Sequence, residues 1–140
     1  MNSNNIATLA NAENFLYLLD PFAFATKAAY LAALQGTDYD FIIMDLYYES
    51  PDGTPVALTN QEVQSLKTKN NGGSRVIICY MRVGEAEDYR FYWKQEWENN
   101  APEWLEAENP LWPGNYKVQY WEPDWQAVIF GGAGGFVSVY

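Results

Sequence analysis

The chain has 140 residues, a formal net charge of −10 from 8 Lys plus Arg against 18 Asp plus Glu, and no histidine. Without imidazole, a Ser-His-Asp or Cys-His nucleophile, a zinc protease centre and a His-ligated haem are all excluded. The single cysteine, Cys79, excludes an internal disulfide framework and Cys-clustered zinc or iron–sulfur sites.

An apolar share of 49% with 17% aromatics belongs to a chain that folds, not to an acidic disordered tail. The length suits one domain, residues 1–140, with a single core. No apolar run reaches the roughly 18 residues of a membrane span, so no membrane partner is expected. The start, Met1 to Asn5, lacks the basic end and apolar stretch of a secretory signal, so the chain as written carries no export address. Its few scattered Lys and Arg residues argue against nucleic acid, since phosphate binding needs them clustered; the acidic balance favours a cationic ligand.

In chain order, Phe15 to Leu19 reads as a buried strand, and Asp20-Pro21 as the cap and first residue of a helix. That helix carries Phe24, Ala28, Leu31 and Ala32 at helical spacing and ends at Gly36. Phe41 to Met44 is a second, fully apolar strand leading into Asp45. Thr59-Asn60-Gln61-Glu62 is a capping box that starts a second helix bearing Val63 and Leu66, with Asn70 to Gly73 as its end. Val76 to Met81 is a third buried strand, and the alternation predicts parallel neighbours.

After Met81 the texture changes, because all six tryptophans lie between Trp93 and Trp125 in a proline-interrupted segment. Tyr89, Trp93 and Trp97 recur every four residues and predict a helix over 85–97 with an aromatic stripe. Lys117 to Trp121 alternates at period two and reads as a fourth strand, and Trp125 to Phe130 is ambiguous. Gly131 to Gly135 reads as linker and Phe136 to Tyr140 as a β-prone tail.

In parallel α/β folds, ligands gather beyond the carboxyl ends of strands, where Asp45 follows the second strand and Glu85 follows the third through Gly84. Arg82 and Arg90 are close enough in sequence to orient Glu85. Two carboxylates near a Trp- and Tyr-rich cleft suit glycoside cleavage, in which one carboxyl protonates the leaving oxygen while the other acts as nucleophile or base. Taken singly, each acid reads equally well as a cap on a loop or helix. No calcium-loop spacing and no nucleotide fingerprint is present, so neither metal nor cofactor is expected.

Residues 76–93, Val-Ile-Ile-Cys-Tyr-Met-Arg-Val-Gly-Glu-Ala-Glu-Asp-Tyr-Arg-Phe-Tyr-Trp, resemble the third-strand signature of endo-α-1,4-polygalactosaminidase-type glycoside hydrolases, a TIM-barrel family. Asn14 to Leu19, Thr37 to Asp45, Leu58 to Lys69, Trp104-Leu105, Glu108-Asn109-Pro110, Trp112 to Val118 and Tyr120 to Trp125 resemble the family in the same order, so residues 14 to about 130 are covered. The resemblance implies a (β/α)8 fold, an extracellular setting (cytoplasmic otherwise, given no signal peptide) and a galactosamine-containing, partly cationic polysaccharide as substrate. It implies Asp45 and Glu85 as catalytic carboxylates, with Tyr80, Arg82, Tyr89, Arg90, Trp93 and Trp121 around the substrate.

A complete barrel takes about 250 residues, so the chain reads as roughly the first half of one, with residues 131–140 a Gly-rich tail and a degraded strand lacking its aspartates. The reading is then a truncated hydrolase, inactive if the carboxylate that the resemblance implies on that later strand is essential. The alternatives are a non-catalytic carbohydrate-binding remnant and an assembling half-barrel whose tryptophans are core. An open parallel sheet also predicts self-association through its free edge.

Overall fold

The computed structural model describes residues 4–131, so beyond Gly131 the expected tail and remnant strand lie outside the described residues. The contacts divide the chain into two compact units, Met1–Met81 and Arg82–Tyr140.

The first unit runs β1 (Phe15–Leu18), α1 (Lys27–Gln35), β2 (Phe41–Met44), β3 (Tyr47–Glu49), β4 (Pro55–Ala57), α2 (Asn60–Leu66) and β5 (Val76–Cys79). β1, β2 and β5 form a parallel sheet in that order, with Leu16 level with Ile42 and Ile42 level with Ile77. This is the mixed α/β arrangement expected of alternating strands and helices. Ile42 and Met44 are fully buried, and Tyr30, Leu31 and Leu34 of α1 with Val63 and Leu66 of α2 complete the core. Burying each such side chain stabilises the unit by about 1.5–3 kcal/mol.

Helix α1 starts six residues after Pro21, because Thr26 is the working cap, its hydroxyl accepting from Ala29 N–H at 3.1 Å. Pro21 instead opens a turn in which its carbonyl accepts from Phe24 N–H at 2.9 Å. The buried stripe of α1 is Tyr30, Leu31 and Leu34, while Ala28 and Ala32 face solvent. Among the described residues β1 lies at the edge of the sheet and is not buried, with Phe15 and Tyr17 more than half exposed, and all four residues of β5 are half-buried. The capping box of α2 is formed in both directions, Thr59 Oγ1 accepting from Glu62 N–H and Glu62 Oε2 from Thr59 N–H. Between β2 and α2 the sequence reading missed the antiparallel hairpin β3–β4, which turns at Gly53 in the left-handed region (φ 83°).

At the entry to β2, Asp40 and Lys69 form an ion pair with no solvent exposure. Asp40 Oδ2 also accepts from Glu13 N–H at 2.7 Å, and Lys69 Nζ donates to the Asn4 carbonyl at 3.1 Å. The chain start, the second strand and the loop into β5 are thereby tied at the amino ends of the strands.

The second unit contains β6 (Glu85–Glu87), a 3-10 turn (Gln95–Glu98), β7 (Leu105–Glu108), β8 (Asn115–Val118) and α3 (Pro123–Phe130). Its sheet is antiparallel in the order β6-β8-β7. The helix expected over 85–97 is not formed. β6 pairs along β8, and period two places Ala86 in the core while Glu85 and Glu87 share the other face, where arginines meet them. The strand expected over 117–121 is β8, two residues earlier and antiparallel. The ambiguous segment at 125–130 is helix, with proline in its first turn and Trp125 and Ile129 buried.

Aromatic rings hold this unit together. Tyr116, Trp93, Trp97, Trp104, Trp125 and Tyr92 follow one another with centroid separations of 4.9, 5.3, 5.0, 5.0 and 5.7 Å. Trp125 also donates its indole N–H to the Val83 carbonyl at 2.8 Å. Rings of this size bring into the core apolar area that three short strands alone lack.

Candidate functional site

Glu85 opens β6 directly after Gly84 and is part-buried. Its Oε2 accepts from Arg82 Nη1 at 2.9 Å and its Oε1 from Asn109 Nδ2 at 2.7 Å. Burial works to raise the Glu85 pKa, but the hydrogen bonds from Asn109 and Arg82 and the charges of Arg82 and Lys117 outweigh it, so the carboxyl is held below its ordinary range. Glu85 is therefore a fixed anion at neutral pH, suited to nucleophile, base or cation-binding roles and unsuited to proton donation.

Arg82 is itself clamped. Besides Glu85 it donates to Asn115 Oδ1 at 3.2 Å, lies 3.9 Å from Glu87 and sits 5.3 Å from the ring centroid of Trp112. Glu87 is buried and takes a different set of partners: Arg90 Nε at 2.7 Å, the Tyr89 hydroxyl and, through its backbone N–H, the Tyr92 hydroxyl at 3.1 Å.

The residues singled out from sequence thus do not form one cluster, although Arg82 lies near both Glu85 and Glu87. Arg82 joins Glu85, as expected, whereas Arg90 and Tyr89 serve Glu87. Trp93 is packed between Tyr116 and Trp97, and Trp121 is exposed with its ring edge-on to Tyr120. Asn109, Asn115, Trp112 and Glu87 also contact Glu85 or Arg82, although none of them was singled out individually from the sequence. Glu87 was legible from the Glu-Ala-Glu period once the segment is read as a strand, and Asn109-Pro110 is a turn signal.

In the first unit, Asp45 follows β2 at the carboxyl end of the parallel sheet, and its Oδ1 accepts from Tyr47 N–H at 2.9 Å. Its charge acts on two neighbours: burial first, and then Asp45, push up the pKa of both the Tyr30 hydroxyl and the Cys79 thiol. Tyr80 continues β5, its N–H donating to the Met44 carbonyl at 2.8 Å. Among the described residues no cluster of Cys, Asp and Glu is arranged to hold a metal ion, and no helix is long and apolar enough to cross a membrane.

The family model of glycoside hydrolase family GH114 matches residues 5–133. The chain belongs to that family. It is 36% identical over 130 residues to an uncharacterized protein of Methanocaldococcus jannaschii, covering 92% of this chain and 35% of that one. An uncharacterized protein of Thermotoga maritima is 32% identical over 127 residues, with 91% of this chain and 38% of the relative covered. One from Deinococcus radiodurans is 35% identical over 115 residues, covering 79% and 34%. The chain spans roughly a third of the length of these relatives.

Proposed function

We propose that the chain is part of an O-glycosyl hydrolase of the endo-α-1,4-polygalactosaminidase type, acting on a galactosamine-containing polysaccharide in an extracellular setting. Glu85 is its fixed anionic carboxylate and Asp45 its second carboxylate. The parallel strands β1, β2 and β5 are taken as the opening strands of a (β/α)8 barrel. Membership of GH114, which includes endo-α-1,4-polygalactosaminidases, supports the reading. The observation that carries it is the clamp of Arg82 and Asn109 on Glu85, which keeps a carboxylate ionised beside an exposed indole.

In glycoside cleavage one carboxyl must give a proton to the leaving oxygen, and the other, ionised, attacks the anomeric carbon or takes a proton from water. Glu85 meets the second requirement, because its hydrogen bonds stabilise the charged form. Free amines on the polymer are cationic, and a protein of net charge −10 attracts them.

The test is incubation of the chain with a partly deacetylated galactosamine polymer, followed by sizing of the products. Shortened chains from the wild type and none from Glu85→Gln support the reading; equal release by both rejects the role of Glu85. A second reading, binding without cleavage, is favoured by the same clamp, since a pinned anion beside an indole holds a cationic sugar without chemistry. Retention of the polymer with no shortening selects it. Phe15 and Tyr17, exposed on β1 at the edge of the sheet among the described residues, support self-association, checked by light scattering.

A further inference from the structure

The tryptophans of the second unit divide by exposure. Trp97, Trp104 and Trp125 are buried in the aromatic ladder, while Trp112 is 53% exposed and its neighbour Leu111 82% exposed. Apolar side chains held open to solvent stabilise little, so beyond its contact with Arg82 the Trp112 ring contributes little to the fold.

The loop that carries Trp112 is nonetheless firmly built. It joins β7 to β8, and Asn109 N–H donates to the Asn115 carbonyl at 2.7 Å, Trp112 N–H to the Asn109 carbonyl at 3.0 Å and Asn115 N–H to the Trp112 carbonyl at 3.1 Å. Gly114 turns in the left-handed region (φ 82°), and its N–H donates to Glu108 Oε1 at 2.7 Å. The Asn109 side chain works in two directions, accepting from Leu111 N–H at 3.1 Å and donating to Glu85 at 2.7 Å. The loop tip is thereby stapled to the carboxylate, and Trp112 stands one guanidinium away from it, across Arg82.

We infer that Trp112 is a sugar-stacking platform for the Glu85 site, and that Asn109 is the positioning residue that fixes platform and carboxylate together. The ligand is a pyranose whose C–H face lies on the indole and whose amino or hydroxyl groups turn toward Glu85. The inference rests on the polysaccharide reading above and deepens it, giving Trp112 and Asn109 defined parts in ligand binding that the residues singled out from sequence did not have. Its energetic basis is preorganisation: a ring already fixed at the carboxylate loses little freedom when a sugar binds.

The experiment is calorimetric titration of the whole chain with a defined galactosamine oligosaccharide and with its N-acetylated form, for wild type, Trp112→Ala and Trp112→Phe, each checked by thermal melting. The expected result is an unchanged melting temperature in all three, binding weakened about tenfold or more in Trp112→Ala, and much of it restored in Trp112→Phe. Unweakened binding by Trp112→Ala overturns the platform while leaving the proposed function standing. Absence of binding by the wild type overturns both. If Trp112→Ala melts early, Trp112→Phe decides: an affinity near the wild-type value, with the fold intact, supports the platform, and an affinity as low as that of a non-aromatic site rejects it.

Discussion

Arg90 Nε donates to Glu87 Oε2 at 2.7 Å, and both side chains are almost wholly shut off from solvent. Removing Arg90 leaves the buried Glu87 carboxylate with only the Tyr89 hydroxyl and the more distant Arg82 to offset its charge. Arg90→Met is therefore expected to destabilise the protein by about 3–5 kcal/mol. The double variant Glu87→Gln with Arg90→Met should recover part of that loss, and urea unfolding of Arg90→Met, Glu87→Gln and the double variant gives the coupling. Equal losses in Arg90→Met and in the double variant would show that the guanidinium acts by packing alone.

The Glu85 clamp sets a pH dependence whose sign is fixed. The folded-state pKa lies below the ordinary 4.5, so the carboxylate contributes stability above that value, and the contribution is lost as pH falls through the folded pKa. Asn109→Ala removes one of the hydrogen bonds that lower it, so the loss, and any sugar binding that needs the anion, should move to higher pH. An NMR titration of the Glu85 side chain in both proteins checks this; an unmoved midpoint would contradict the role given to Asn109.

Asp88 behaves oppositely. Burial raises its pKa, and the charges of Glu108 and Glu98 raise it further. A raised carboxylate costs stability at neutral pH and returns it as pH falls through the folded value. Asp88→Asn should raise the melting temperature at neutral pH, with the advantage shrinking on acidification. A constant advantage across that range would point to packing instead of charge.

Much of the first unit was legible in sequence because its signals are local. The apolar run Phe41 to Met44 and the Thr59–Glu62 box each specify an element without help from distant residues, and both formed where expected. The second unit was not legible, because its aromatics satisfy a tertiary pattern. Trp93 and Trp97 do touch, at 5.3 Å, yet through a 3-10 turn and not along a helix, and Trp104 and Trp125 extend the same ladder from other elements. Equal spacing in sequence reported contact correctly and conformation wrongly. Of the site, Arg82 with Glu85 was visible from proximity along the chain, whereas Asn109 arrives from 24 residues away and has no local signal linking it to Glu85.

Gly114 offers a test of the loop that carries Trp112. A β-carbon there would lie 2.9 Å from Asp88 Oδ1, in a backbone conformation that side chains disfavour. Gly114→Ala is expected to cost about 1–2 kcal/mol through the left-handed backbone alone. Sugar affinity should fall with it if the loop tip shifts, and denaturant unfolding with calorimetry reads both. Full stability in Gly114→Ala would mean that the turn has room the geometry does not show.

Strands that read alike in sequence carry unequal loads, and β1 against β2 shows it. Ile42 is fully buried, level with Leu16 and Ile77, and truncation to alanine should cost about 2–5 kcal/mol through lost burial and the cavity left behind. Phe15 belongs to an equally apolar run but is 55% exposed on an edge strand, stacked on Phe41 at 5.1 Å with the rings nearly parallel. Phe15→Ala therefore loses little beyond that one ring pair, about 0.5–1.5 kcal/mol. Chemical denaturation of the two variants at low protein concentration separates the cases. If Phe15→Ala costs as much as Ile42→Ala, the edge of β1 is covered in solution, and repeating the measurement across a range of protein concentrations tells whether a second copy covers it, since stability drawn from association rises with concentration.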